Sequence, residues 1–215
     1  GAEHDKYRKV TNDWFKPAAV RHLQPAIDRI ADEYVAKLAD MGGECDFAQD
    51  LAVPFTIHVI MTIFGVPESD ERMMMELTQG LFGAADAEYL GDFESPAELV
   101  GNTLGKFQEY FDKLTAERRA NPTDDLATVI ANGQVDGCPM GDAERLWYYI
   151  IVATAGHDTT SFALSGGMEQ LLAHPDQLQM LRDDPELLVN ATEEIIRWTS
   201  PVRSFLRWTQ EDVVL

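Results

Sequence analysis

The sequence predicts a mainly α fold with small β segments. Apolar residues return every three or four positions through most of the chain, and Pro and Gly punctuate it at helix-length intervals. One proline-free run, residues 142–173, would make a helix of roughly 48 Å at about 1.5 Å per residue. With 45% apolar residues among 215, the chain can bury a substantial core, which excludes a disordered polypeptide. No internal repeat, low-complexity tract or domain linker interrupts it.

A first helix is expected over residues 4–14. Pro17 then sits where a first-turn proline opens a longer helix through residues 18–41, and Gly42-Gly43 ends it. Glu44-Cys45-Asp46-Phe47 is a candidate strand. Residues 51–64 read as an apolar, buried helix, bent near its start by Pro54 and closed by Gly65 and Pro67. Amphipathic helices over residues 69–82 and 94–120 flank an irregular Gly/Ala/Asp stretch, 83–91, which is a candidate lid. Asn121-Pro122-Thr123-Asp124-Asp125 supplies a turn and an N-cap for a short helix, and residues 132–141 form a polar Gly/Pro loop holding Cys138. Beyond the long run, Pro175 and Pro185 punctuate two further helices, the second reaching Thr199, and Pro201 releases the chain into an extended segment from Val202 onward.

The formal net charge of −20 is spread along the chain and argues against nucleic acid and against an anionic membrane surface, both of which need concentrated Lys and Arg. Residues 147–155, the longest stretch around the middle of the chain without charges or strong turn formers, are too few to cross a bilayer, and the opening residues carry no signal-peptide pattern. Cys45 and Cys138 have no second Cys at metal-site spacing, so neither a disulfide framework nor a zinc cluster is encoded, and a reducing cytoplasm is the expected compartment. The chain opens Gly1-Ala2-Glu3-His4 and closes on Val213-Val214-Leu215 within an apparent strand, so a fragment is expected.

Ala155-Gly156-His157-Asp158-Thr159-Thr160 is costly inside a helix, because Gly and β-branched Thr both lower helix propensity. Thr159 can turn its hydroxyl back to the Ala155 carbonyl, and Gly156 leaves space where a small ligand can approach. A groove lined by a hydroxyl and backed by a carboxylate suits proton delivery, with Asp158 collecting protons from solvent and Thr159 positioning them or a water. The competing reading is structural: close helix packing at Gly156, Asp158 solvated and both threonines half-buried. Met73-Met74-Met75 reads as adaptable packing, and no phosphate-cradling Gly-rich loop, Gly-x-Ser-x-Gly elbow or His-Glu-x-x-His is present.

Glu194 and Arg197 stand three apart on one helical face, flanked by Ile195, Ile196 and Trp198, which suggests little solvated surface there. A buried Arg197 would need a third partner besides Glu194. Near the start, His4 and Arg8 share a face in a locally positive stretch with Lys6, Lys9, Lys16 and Arg21. Those cations suit bound carboxylates, an acidic protein partner or plain solvation. Arg203 and Arg207 raise the same choice.

Taken in order, His4-x-x-x-Arg8, the hexapeptide from Ala155 to Thr160, Glu194-x-x-Arg197 and Pro201-Val202 leading to Arg207 resemble the cytochrome P-450 superfamily of haem-thiolate monooxygenases. The wording of Gly43 to Phe47, His58 to Thr62 and Phe64 to Glu68 is similar to soluble bacterial members, above all the terpene-alcohol-hydroxylating subgroup. The resemblance implies an incomplete cytochrome P-450 fold, one domain running from the family's C helix through its I and K helices into the following strand. The N-terminal region and the loop bearing the axial haem Cys would lie outside residues 1–215, and this piece alone would be inactive.

Residue by residue, the resemblance assigns His4, Arg8 and Arg207 to the propionates of haem b, and Asp158 and Thr159 to catalysis in an oxygen groove with Ala155 and Gly156. Glu194 and Arg197 become a structural pair; Ile151, Thr154, Val202 and Phe205 face an apolar small-molecule substrate, with a terpenoid as the class. It further implies O2 as co-substrate, electrons from a ferredoxin and ferredoxin reductase, a cytoplasmic location, and no nucleic-acid or membrane partner. Two readings of other classes stand beside it: a non-enzymatic all-α sensor that binds an apolar ligand, against which the missing basic recognition helix speaks, and an interaction protein that kept the fold without the chemistry.

Overall fold

The computed structural model describes residues 2–202 together with 204, 206 and 209. Helix α1 (Ala2–Thr11) precedes the long α2 (Pro17–Asp40), whose Pro17 occupies the first turn where its missing N–H costs nothing. Gly42 and Gly43 follow with φ of +75° and +103°, left-handed values that L side chains avoid. The expected strand at residues 44–47 does not form. Asp46 instead accepts from the N–H groups of Ala48 and Gln49 and caps a π-helical turn, Phe47–Ala52, which leads into α3 (Val53–Phe64). Pro54 explains that order: it cannot donate to the carbonyl four residues back, so the chain enters α3 through a wider turn.

A 3₁₀ turn (Glu68–Asp70) leads into α4 (Glu71–Phe82), and the irregular stretch that follows contains one helical turn, α5 (Ala87–Leu90). Ser95 then caps α6 (Pro96–Ala120), accepting from the Glu98 N–H while the Glu98 carboxylate accepts from the Glu94 N–H. Asp125 caps α7 (Leu126–Ala131) as its sequence position predicts. The expected polar loop at 132–141 is in fact a small antiparallel hairpin, β1 (Gln134–Val135) with β2 (Cys138–Pro139), turned by Asp136 and Gly137 at positive φ.

The long run is not one beam. Helix α8 (Asp142–Ala155) stops, Gly156 and His157 turn, and α9 (Asp158–Ala173) resumes. Helix α10 (Pro175–Asp183), a 3₁₀ turn (Pro185–Leu187) and α11 (Leu188–Thr199) complete the described helices.

The core gathers α3, α4, α6, α7 and α8 around stacked rings. Phe111 lies 4.7 Å from the Tyr149 ring and 5.6 Å from Phe107, with Phe64 packed against both Phe111 and Tyr149. Helix α6 feeds this core from Leu99, Thr103, Phe107, Phe111, Leu114 and Arg118, residues at helical spacing on one face. Phe47–Phe64 is, among the described residues, the stretch long and apolar enough to match a bilayer span, one that the count of uncharged mid-chain residues overlooked. Its Ile57, Met61 and Phe64 sit in the core, which accounts for that apolarity.

Two close approaches fix the frame. At the C-terminus of α3, Gly65 has φ +87°, and a Cβ there would overlap the Asp125 carboxylate. Arg118 closes this corner, donating from Nε to Asp125 at 2.7 Å and from Nη2 to the Gly65 carbonyl at 2.6 Å. Burial alone would raise the Asp125 pKa, but hydrogen bonds from Thr123, Thr128 and Arg118 outweigh it and hold the carboxyl below its ordinary value. At the helix break, a Cβ on Gly156 would overlap the Ile60 side chain of α3, so the glycine is required by packing.

Replacing Asp125 by Ala takes away the enclosed carboxylate of the buried Arg118, leaving it the largely exposed Glu117 and the Gly65 carbonyl, and is expected to cost about 3–5 kcal/mol in urea unfolding. A carboxyl with a lowered folded-state pKa stabilises fully above its ordinary value and loses that stabilisation as pH falls through the folded value. The gap between native protein and variant is therefore expected to be widest near neutrality and to narrow below the ordinary carboxyl value of 3.8. At the break, Gly156→Ala is expected to destabilise by about 1–3 kcal/mol through overpacking. Adding Ile60→Ala should recover part of this, giving a double-mutant coupling of about 0.5–3 kcal/mol; strictly additive effects would show that the contact does not constrain the glycine.

Candidate functional site

The break between α8 and α9 is where the sequence-predicted chemistry comes together. Gly156 (φ −88°, ψ −17°) and His157 (φ −116°, ψ −50°) carry the turn, and the Ser161 N–H then donates to the His157 carbonyl at 2.8 Å to restart the helix. Thr159 makes the predicted back-bond to the Ala155 carbonyl, long at 3.4 Å. Asp158 is partly open, its side chain 34% exposed, so one carboxylate spans interior and solvent. The empty side-chain position of Gly156 makes room for Ile60, which corrects the reading of a space left for a ligand.

Ile151, Ala155, Thr159 and Phe162 follow at spacings of four, four and three along one side of α8 and α9. Ile151 is 61% and Phe162 59% exposed, so this side of the break offers an open, mostly apolar strip. Phe162 escaped the sequence reading, although its place on the Thr159 face was available as a signal. Thr154, expected on the substrate side, is buried, and its hydroxyl donates to the Ile150 carbonyl at 2.7 Å within its own helix. Val202 is half-exposed beyond α11, whereas Phe205, Arg203 and Arg207 lie outside the described residues.

Helix α1 stands beside α8. The Thr11 and Tyr148 hydroxyls are 2.7 Å apart, and Tyr148 also donates to the Tyr7 carbonyl. His4 and Arg8 face solvent on this helix, His4 next to Asp5 at 3.5 Å. Lys6, by contrast, is engaged by Asp136 of the hairpin turn.

Glu194 and Arg197 form the expected pair, a two-pronged one with both bonds at 2.6 Å. It is not enclosed: the side chains are 58% and 65% exposed, and Trp198 is 60% exposed. The reason lies in how α11 docks. Ile195 and Thr199 pack on Gly167 and Gly166 of α9, and no other described element covers the flank that holds the pair. Beside it, an open groove of about 560 Å³ runs between α9, α10 and α11, lined by Leu171, Met180, Ala191, Ile195 and Trp198.

Two histidines matter more than the sequence suggested. His58 of α3 pairs with Glu71 of α4 at 2.7 Å, both nearly buried, and burial raises the Glu71 pKa despite the histidine. His157 is wholly buried, with Nε2 at 3.2 Å from Thr78 Oγ1 of α4 and 3.1 Å from Asp158 Oδ1. Burial lowers its pKa, against the opposing pull of the Asp158 carboxylate and the Ala153 carbonyl.

No protein-family model matches the chain. Among curated proteins, it is 40% identical over 215 residues to cytochrome P450-terp of a Pseudomonas species, an alignment covering 97% of this chain and 50% of that protein. It is 34% identical to the steroid C26-monooxygenase of Mycolicibacterium smegmatis, over 99% of this chain and 52% of that protein. The chain thus spans about half the length of the curated relatives it matches. Among solved structures, cytochrome P450 CYP108D1 from Novosphingobium aromaticivorans superposes with TM-score 0.81 at 44% identity, over 93% of this chain and 46% of that one. Mycobacterium marinum cytochrome P450 CYP268A2, in complex with pseudoionone, superposes with TM-score 0.84 at 31% identity, over 91% and 47%. With identity of this order along nearly its whole length and backbones that superpose this well, the chain belongs to the cytochrome P450 superfamily.

Proposed function

We propose that this chain forms the oxygen-activating side of a haem-thiolate monooxygenase that inserts one oxygen atom from O2 into an apolar small molecule. The observation that carries the reading is the break at Gly156 and His157. It sets a half-open carboxylate, Asp158, and a hydroxyl, Thr159, beside the exposed strip of Ile151, Ala155 and Phe162. That strip has the apolar character needed against a porphyrin face, and the solvent-facing His4 and Arg8 would suit its propionates, with Arg207 as the third. When bound, haem b would supply the activation of dioxygen.

Asp158 takes up protons on its solvent side and passes them toward the groove, where Thr159 orients the donor. Ile151, Val202 and Phe205 exclude water and hold the apolar substrate. Neither Cys45, in the connector before the π turn, nor Cys138, in the hairpin, lies in a Gly-rich ligand loop, so neither is assigned to the haem iron. The names of the relatives support a terpenoid or comparable hydrocarbon as substrate. A ferredoxin with its reductase supplies electrons, in a cytoplasmic enzyme without membrane or nucleic-acid partner. No observation favours the sensor reading.

In the full-length enzyme, Thr159→Ala is expected to lower product formed per reducing equivalent several-fold and to raise peroxide, while substrate binding is kept. Asp158→Asn is expected to slow turnover by about 100-fold and enlarge the solvent isotope effect, since proton delivery becomes limiting. Product yield, peroxide and oxygen uptake measured together check both; unchanged coupling in Thr159→Ala would remove that hydroxyl from the chemistry.

A further inference from the structure

His157 sits between the site and the helix above it, and its hydrogen bonding can be worked out from its neighbours. The Thr78 hydroxyl donates to the Met75 carbonyl at 2.9 Å, so toward His157 it can only accept. The Asp158 carboxylate likewise offers acceptors, with Oδ1 at 3.1 Å. Both neighbours of Nε2 therefore need the same thing, a proton on that nitrogen, and the neutral ring carries it there, while the buried Nδ1 has no hydrogen-bond partner. Burial, which favours the neutral form, agrees with that assignment.

With its side chain wholly buried, His157 has no contact with water from which to draw protons. A conduit role is thereby excluded, and an orienting one fits. We propose that His157 is a positioning residue that ties the Asp158 carboxylate and the α8–α9 break to Thr78 of α4, so that the placement of α4 sets the placement of the acid. Ile60 of α3 holds the break from another side at Gly156, leaving the His157 linkage as the polar half of the clamp. The Asp158 side chain keeps 34% of its surface open to solvent beside this contact. The inference rests on the monooxygenase reading for its consequence in turnover, but not for the clamp itself.

The test uses the haem-loaded full-length enzyme and two measurements: amide hydrogen exchange across residues 156–160, and the partition between product and peroxide. His157→Leu fills similar volume without the donor, His157→Gln keeps an N–H near the position of Nε2, and Thr78→Val removes the acceptor on α4. His157→Leu and Thr78→Val are expected to speed exchange at the break by about tenfold, the loss of one buried hydrogen bond, and to shift electrons toward peroxide. His157→Gln is expected to restore both toward the native values. Native exchange in His157→Leu or Thr78→Val would overturn the clamp, and so would a failure of His157→Gln to restore it, because packing alone would then hold the break. Altered exchange with an unchanged partition would overturn the positioning of Asp158. Should the native enzyme turn over no apolar substrate while the exchange pattern follows expectation, the monooxygenase reading falls and the clamp stands.

Discussion

The constraint on which the rest depends is the contact at residue 156, where α3 comes so near the long helix that no Cβ fits between them. Ile60 takes the space a side chain would occupy, and the helix gives way there, as Gly and the β-branched residues beside it permit. Once the ladder is interrupted, Asp158 opens a new helix and Thr159 shares a face with Ala155 and Ile151. The chemistry-bearing groups thus owe their placement to a packing contact at a neighbouring residue that is not one of them. Helix α3 can serve as that anchor because it is itself held at both ends. Pro54 and the π turn set its start, and Gly65, Asp125 and Arg118 its finish.

Much of the architecture was legible in the sequence because it is written in local signals. Pro17, Pro96 and Pro175 sit at or near helix starts, Asp125 caps where its spacing says, and Gly42-Gly43 and Gly65 end helices with left-handed backbone. What failed was partly tertiary and partly local. Nothing in Glu44-Cys45-Asp46-Phe47 announces that Asp46 will cap a π turn instead of pairing in a sheet. The run 142–173 contains no proline, and the contact that accompanies its interruption comes from Ile60, 96 positions before Gly156, which only the fold brings near. Asp136-Gly137 is a local hairpin signal inside the 132–141 stretch whose polarity suggests a loop.

For the site, the motif located the acid and the hydroxyl, and the helical spacing of Ile151 and Phe162 contained the open strip. The role of His157 was not legible, since a histidine beside an aspartate says nothing of a threonine on another helix. Glu194 and Arg197 show the reverse case. Their pairing was readable from an interval of three, but their exposure depends on α11 docking on α9 through Ile195 and Thr199, with the charged flank turned outward. An exposed two-pronged pair of this kind adds little stability by itself, because water screens it and both side chains must be ordered. The polar pairs that matter for stability are the enclosed ones, Arg118 with Asp125 and His58 with Glu71, each of which ties one helix to the next along the chain.

The wide turn at Phe47–Ala52 has a consequence for how the chain can vary. A π turn holds one residue more than an α turn, and it lies upstream of the residues that enter the core, between an exposed connector and α3, with α9 against it. Shortening by a single residue at that point can be absorbed by tightening the coil to ordinary pitch, leaving Met61 and Phe64 in register with their partners. The segment acts as a slack loop in the weave, the place where length can change while the pattern beyond it holds.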